Sequence, residues 1–143
     1  MIVTIHASLD FKDQMILAKE GLQEAGHVVL LPELESFQYI RDVLGDDQQF
    51  TKIKTRLTRQ NMSLVESCDC LLILNYSHRG VVNYVGGNSF LEMVLAFYLH
   101  KPIYLLNPIP DSLPYSEEIK ALGPIILGSL DRLPKTIGEE HHA

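Results

Sequence analysis

Cys70-Leu71-Leu72-Ile73-Leu74-Asn75 is an almost unbroken apolar run, and it predicts a strand that is buried on both faces. Strands of this kind belong to parallel sheets that helices cover on both sides. The later stretch Val85-Gly86-Gly87-Asn88-Ser89-Phe90-Leu91-Glu92 predicts the start of a helix, with Asn88 as its N-cap and Glu92 in its first turn. The two segments therefore predict a strand–loop–helix unit of an α/β protein, with a carboxylate near the carboxyl end of the strand.

Apolar runs alternate with amphipathic stretches along the whole chain, as is typical of a parallel sheet with crossover helices. We expect strands at 2–7, 27–31, 70–75, 103–106 and 125–127, and helices at 9–25, 49–66, 89–99 and 116–122. In the third helix, Phe90, Met93, Val94 and Phe97 are expected to face inward. The prediction is a single flavodoxin-like domain at 1–133, a three-layer sandwich whose five-stranded parallel sheet has the order 2-1-3-4-5.

Two segments fall outside these elements. The polar stretch Glu33 to Asp47 is expected to hold a short helix and a mobile loop. The tail at 134–143 is expected to be flexible.

Composition limits the classes of function. The chain has 143 residues, of which 46% are hydrophobic, enough for one packed core. A net charge of −6 argues against a protein that wraps a nucleic acid, since that needs clustered Lys and Arg. A small anion remains possible through Arg79 or Lys12, although either can equally be solvated surface charge.

Cellular location and cofactors are also indicated. The first strand pattern follows Met1 directly, without a basic leader, and no apolar run approaches membrane-spanning length, so we expect a cytoplasmic protein. Cys68 and Cys70 have no second pair at metal-ligand spacing and are expected to be buried free thiols. Neither a metal nor an organic cofactor is expected.

The predicted strand order places a site. Strands 1 and 3 are neighbours whose following loops diverge at the switch point, where open α/β sheets bind ligands. Those loops hold Ser8 and the segment 86–92. Glu92 is the candidate nucleophile, because the positive end of a helix keeps a nearby carboxylate ionised, although Glu is also a common stabilising residue there.

Four further groups near this edge carry alternative interpretations. Gly86 and Gly87 let the backbone pass close to a ligand or simply form a turn, and Asn88 caps the helix or faces the substrate. Ser8 offers its hydroxyl and amide to a phosphate or sugar, or is a plain N-cap. His6 is an acid or base, or a hydrogen-bonded structural residue. In the loop after the third strand, His78 is expected to face solvent and to close over a ligand.

Across almost its whole length the chain resembles the nucleoside 2-deoxyribosyltransferases and the related deoxynucleotide N-glycosidases. The resemblance rests on three segments, Ala7-Ser8, Ser67 to Leu72, and Gly87 to Met93 followed by Ala96 and Lys101-Pro102-Ile103. It implies that Glu92 attacks the anomeric carbon of the sugar, releases the base and forms a glycosyl ester, which water or a second base then resolves.

The chain departs from the family pattern at positions around the nucleophile. An acidic residue that serves the leaving base is replaced by Asn61, which can bond a base but is not an acid. A Tyr that steadies the nucleophile is replaced by Thr4, and an acidic or Ser position by Gly86. Asp69 lies at the opposite edge of the sheet and is expected to be structural.

Three functions follow as hypotheses. The first is an enzyme that cleaves or transfers the N-glycosidic bond of a nucleoside or nucleoside monophosphate. The second is a non-catalytic nucleotide-binding module, and the third is an interaction protein that docks a partner through the acidic segment 33–47. A homo-oligomer, a dimer or larger, is expected from the resemblance, with Tyr76 and Tyr84 as candidate interface residues. Tyr84 can equally stack on a base or cover the core.

Overall fold

The computed structural model describes residues 1–34 and 47–138, which form five strands and four α-helices. The strands are β1 (Ile2–His6), β2 (Val28–Leu30), β3 (Cys70–Ile73), β4 (Ile103–Leu105) and β5 (Ile125–Ile126). The helices are α1 (Lys12–Glu24), α2 (Asp47–Ser67), α3 (Gly87–Tyr98) and α4 (Ser116–Ala121), with 3-10 helices at Leu9–Phe11 and Leu130–Arg132. The short helix and loop expected between β2 and α2 fall largely outside the described residues, as does the end of the tail.

All five strands are parallel, in the order β2-β1-β3-β4-β5. This confirms the predicted flavodoxin-like sheet. In its centre, His6 of β1 is in register with Ile73 of β3, so the carboxyl ends of these two strands coincide. The loops that follow β1 and β3 therefore begin side by side. Within residues 1–34 and 47–138, none of the helices combines the length and apolarity needed to cross a bilayer.

Strand β3 is covered on both sides, as its apolar run predicts. Leu72 and Leu74 belong to a cluster with Met15 of α1, whereas Leu71 and Ile73 pack in a second cluster with Met93 of α3. Complete burial of one such side chain contributes about 1.5–3 kcal/mol. The sheet is thus the middle layer of three.

Strand β1 differs from β3 because its two faces have different chemistry. Val3 and Ile5 join the cluster on the α1 side. Thr4 and His6 alternate with them and are also buried, 0% and 2% exposed. The opposite face of this strand therefore carries two polar side chains into the layer that contains α3.

The start of helix α3 corrects the sequence prediction. Gly86 is the N-cap, in an extended conformation with φ −76° and ψ 170°, and its carbonyl accepts the first helical bond from Phe90 N–H at 2.9 Å. Asn88 is therefore inside the helix and exposed, and Glu92 lies in the second turn. The intrinsic preference of Asn for the cap position is overridden here by a glycine that precedes it.

The inward face of α3 is also different from the predicted one. Its buried residues are Ser89, Glu92, Met93 and Ala96, whereas Val94 and Phe97 are exposed. Val94 lies about 200° around the helix from Glu92, so a helix that turns Glu92 inward must turn Val94 outward. Helical periodicity alone predicted that the more apolar stripe of α3 faces inward. Glu92 is buried instead because its carboxylate lies against the polar face of β1.

Polar contacts hold the two ends of the sheet. At the site edge, Asn75 Nδ2 donates to the carbonyls of Asn107 and Pro108 at 2.8 and 3.1 Å, and Asn107 N–H donates to Asn75 Oδ1 at 2.8 Å. At the opposite edge, Ile2 N–H donates to Asp69 Oδ2 at 2.7 Å, which confirms the structural interpretation of Asp69. These bonds fix the loop positions without involving the pocket.

Candidate functional site

A pocket of about 300 Å³ lies at the carboxyl ends of β1 and β3, at the switch point of the sheet. This volume is at the lower end of the roughly 300–1,000 Å³ found for small-molecule sites. Eight of the residues that the sequence singled out as site candidates lie on its wall: His6, Ser8, Asn61, Arg79, Gly86, Gly87, Asn88 and Glu92.

Glu92 and His6 form a buried pair in this wall. Nδ1 of His6 lies 2.8 Å from Oε2 of Glu92, and the two side chains are 3% and 4% exposed. The distance is short enough for a charge-assisted hydrogen bond, but the two groups are not aligned for one. Among the described residues, none places a well-aligned donor at Oε2. The carboxylate therefore lies beside the imidazole with fewer hydrogen bonds than a buried carboxylate usually makes.

Thr4 supports His6 from the same face of β1. Its Oγ1 lies 2.9 Å from Nε2 of His6 and 3.3 Å from the carbonyl oxygen of Leu30, to which it can donate. When the hydroxyl proton is directed to Leu30 O, Thr4 accepts a hydrogen bond from Nε2 of His6. When it is directed to Nε2, the proton of a neutral ring lies on Nδ1, facing Glu92. Thr4 replaces the Tyr that steadies the nucleophile in the family that the chain resembles. Thr4 contacts His6, and His6 in turn lies beside the carboxylate of Glu92.

The order hydroxyl, imidazole, carboxylate is also that of a hydrolase triad, but the surroundings exclude that role. Thr4 is completely buried in the middle of a strand and is not on the pocket wall. A nucleophilic hydroxyl must reach the substrate. In this arrangement the group that reaches the pocket is the carboxylate of Glu92.

The N-terminus of α3 borders the pocket with unused backbone donors. No side chain among the described residues caps this helix, and its hydrogen bonds begin at Phe90 N–H. The amides of Gly87, Asn88 and Ser89 precede that bond and belong to residues of the wall. Such amides bind hydroxyl, carboxylate or phosphate oxygens.

The loop between β3 and α3 carries two further wall residues, His78 and Arg79. His78 does not face solvent as predicted, because its side chain is 13% exposed and packs between Phe11 and Tyr84, with ring centroids 5.6 and 5.2 Å away. Tyr84 also touches the backbone at Gly86, where a Cβ would lie 3.3 Å from its ring. The aromatic rings tie this loop to the start of α1.

Helix α2 forms the opposite wall through Asn61, Thr58 and Lys54. Asn61 is half-buried. Sequence reasoning missed Lys54 and Thr58, although their spacing from Asn61 places all three on one helix face. Lys54 and Arg79 are the cationic side chains of the wall, whereas Lys12, the other candidate for a phosphate, is exposed on α1 away from it.

Ser8 occupies the cap position of the 3-10 helix at Leu9–Phe11, but its hydroxyl makes no capping hydrogen bond there. The plain N-cap interpretation of Ser8 therefore accounts for its backbone and not for its side chain. Asp10, which the sequence analysis did not single out, also lies on the wall.

The two cysteines are buried free thiols, as predicted. Burial raises the pKa of the Cys68 thiol, which makes this group unreactive at neutral pH.

No protein-family model matches the chain, and no curated protein matches it either. The function proposed next rests on the geometry of the pocket.

Proposed function

We propose that this protein cleaves or transfers the N-glycosidic bond of a nucleoside or nucleoside monophosphate, with Glu92 as the nucleophile. The observation that carries the proposal is the placement of Glu92, a buried carboxylate in the wall of a pocket at the switch point, held 2.8 Å from His6. A positioned carboxylate in the wall of a pocket can serve as the nucleophile that forms a covalent glycosyl intermediate.

The chemistry follows from that placement. Oε2 is the buried oxygen next to His6, which leaves Oε1 to attack the anomeric carbon. The bond between the sugar and the base nitrogen breaks, and its electron pair leaves with the base. Water or a second base then displaces Glu92 from the glycosyl ester, so that the configuration at the anomeric carbon is retained overall.

The rest of the wall suits a nucleoside. The amide of Asn61 both donates and accepts, as the edge of a base requires. Ser8 and the backbone amides at the start of α3 offer hydrogen bonds to sugar hydroxyls or a phosphate. Lys54 and Arg79 balance part of the charge of Glu92, Asp10 and Glu33 around the pocket.

One observation favours the alternative, a non-catalytic nucleotide-binding module on the same fold. The Glu92 side chain is 4% exposed and close to an imidazole, which is also the environment of a purely structural ion pair. Such a protein would bind a nucleotide in the pocket and release no base. The acidic segment of the third hypothesis, the interaction protein, falls mostly outside the described residues.

Self-association is part of the proposal. Leu91, Val94 and Tyr98 are exposed and recur along one face of α3, beside the pocket-lining face of the same helix. The candidate interface residues Tyr76 and Tyr84 instead make ring contacts within the chain. Light scattering after gel filtration should show a dimer or larger species that Tyr98→Asp converts to a monomer.

The decisive experiment is a panel of deoxynucleosides, ribonucleosides and their monophosphates, with chromatography for the free base. Wild-type protein should release base from at least one substrate, and Glu92→Gln should not, while Glu66→Gln on the exposed face of α2 should match wild type. Mass spectrometry after incubation with a 2-fluoro-2-deoxy nucleoside should find the sugar attached to the Glu92 peptide.

Two results would reject the catalytic proposal. Full activity in Glu92→Gln would show that Glu92 is not the nucleophile. Calorimetric binding of a nucleotide without any base release over long incubation would identify a binding module instead.

A further inference from the structure

We infer that His78, paired with Asp10, is the general acid that protonates the departing base. This inference rests on the proposed function and adds the source of the proton. As the sugar–base bond breaks, its electron pair passes to the base nitrogen, which takes a proton from Nδ1 of His78. In the second step the neutral imidazole accepts a proton from the attacking water, which restores both His78 and Glu92.

The reaction needs such a group. Purines and pyrimidines leave poorly as anions, and proton transfer from a positioned acid typically accelerates a reaction by about 10²–10⁴-fold. On the α2 wall, Asn61 has no proton of suitable acidity. His6 is also unsuitable, since its Nε2 faces Thr4 and its Nδ1 faces Glu92.

The other acidic side chains of the wall are less suited than His78 to donate a proton to the leaving base. Glu33 is 44% exposed and lies 3.6 Å from Arg56. Asp10 is 60% exposed, so water competes for its carboxylate. His78 is 13% exposed, and an imidazolium is the side chain whose ordinary pKa is nearest to neutral pH.

The surroundings of His78 orient its ring. Nε2 lies 3.4 Å from Oδ2 of Asp10, so this side of the ring is directed at the carboxylate. Nδ1 has no partner within the part of the chain that the structure describes, so its proton remains available to a ligand in the pocket. Phe11 and Tyr84 pack against the ring and keep it at the wall.

The backbone around His78 is also constrained. The N–H of His78 donates to Val81 O, and the N–H of Val81 donates to His78 O, both at 2.9 Å. Arg79 and Asn83 have left-handed backbone angles, φ 50° and 57°, which are uncommon outside glycine. Contacts around the loop keep these two residues in an unfavourable backbone conformation, as is typical of functional segments.

The test compares two leaving groups on one sugar. The first substrate is the nucleoside that wild-type protein cleaves fastest in the panel, and the second is the 4-nitrophenyl glycoside of the same sugar, whose phenolate leaves without a proton. His78→Phe preserves the ring contacts with Phe11 and Tyr84, and His78→Gln provides a polar replacement. His100→Asn, an exposed position with φ 57°, is the matched histidine control.

Both His78 variants should lose about 100-fold or more in kcat on the nucleoside and remain within about threefold of wild type on the nitrophenyl glycoside. Glu92→Gln should lose activity on both substrates, and His100→Asn on neither. Circular dichroism and thermal melting should show that the variants are folded.

Equal losses on the two substrates would overturn the acid role of His78 in favour of a structural one. Unchanged turnover of the nucleoside in both His78 variants would overturn it as well, and would leave the proposed function of Glu92 intact. Wild-type protein that cleaves neither substrate would refute the proposed function itself, and with it this inference.

Discussion

Nδ1 of His6, at the end of β1, lies 2.8 Å from Oε2 of Glu92, in the second turn of α3, with both side chains almost completely buried. The pair joins the central strand of the sheet to the helix that borders the pocket. Since a buried charge without a partner is costly, the pair constrains both elements at once.

We expect His6→Leu to lower the free energy of unfolding by about 3–5 kcal/mol, because it leaves the carboxylate of Glu92 buried without a partner. The double variant His6→Leu/Glu92→Leu should lose less than the sum of the single variants, since it removes both partners of the buried contact. Urea unfolding of the four proteins measures this coupling. Lys120→Ala, which breaks the exposed pair with Glu117, should change stability by less than about 1 kcal/mol. Strictly additive losses at His6 and Glu92 would show that the two side chains do not interact.

Thr4→Val removes one hydroxyl and keeps the shape of the side chain. The loss of its hydrogen bond to His6 should cost about 1 kcal/mol of unfolding free energy. In ¹⁵N-detected spectra, the variant should change the distribution of protons between Nδ1 and Nε2 of His6. The control is Thr55→Val, because the exposed hydroxyl of Thr55 donates to Thr51 O within α2. An unchanged His6 spectrum in Thr4→Val would exclude the supporting role of Thr4.

Asn75→Asp should destabilise the fold by about 3 kcal/mol. The side chain is completely buried, and the new oxygen would face the carbonyls of Asn107 and Pro108, which now accept from Nδ2. Asn88→Asp makes the same change at an exposed position of α3 and should stay within about 0.5 kcal/mol of wild type. Thermal unfolding compares the two variants, and equal melting temperatures would show that the Asn75 bonds contribute little.

His27 should make the stability of the protein depend on pH. Burial, aided by the charge of the Met1 amino group near Nδ1, lowers the pKa of His27 below its ordinary 6.5. Between the lowered pKa and 6.5 the unfolded chain binds more protons than the native one, so stability rises with pH there. The contribution is complete above pH 6.5 and is lost as the pH falls toward the folded-state pKa.

Urea unfolding of wild type and His27→Gln between pH 5 and pH 8 isolates this contribution, because the carboxylates titrate in both proteins. The difference in unfolding free energy between the two should shrink as the solution becomes more acidic. A difference that is constant with pH would contradict the effect.

The elements of the fold could be predicted from the chain because each has a local cause. The apolar run 70–75 predicted a doubly covered strand, and alternation with helices predicted a parallel sheet. The strand order was predicted as the one common to flavodoxin-like sheets, and it is the observed order. Helix α3 was predicted less well, since its start was assigned to Asn88 and its inner face to Val94 and Phe97. Local preference did not reveal that a glycine begins the helix or that a carboxylate is on the buried side.

The candidate site was predicted as a set of wall residues but not as a set of contacts. The alternation of Thr4 and His6 with Val3 and Ile5 is a visible signal, because polar residues on one face of a central strand need partners on the helix above. It does not say which partner. Lys54, Thr58 and Asp10 likewise carry no local feature that separates them from solvated surface residues.

By itself, the order of residues determined the three-layer sandwich and the edge of the sheet where the pocket lies, because hydrophobic periodicity and short crossover connections leave few other arrangements. Only the tertiary structure decided that Glu92 meets His6, that Thr4 holds the far side of that ring, and that His78 turns in beside Asp10. These contacts join residues far apart in the chain, so they depend on the register of β1 against β3 and on the rotation of α3 about its axis. Both are set by packing of the whole molecule.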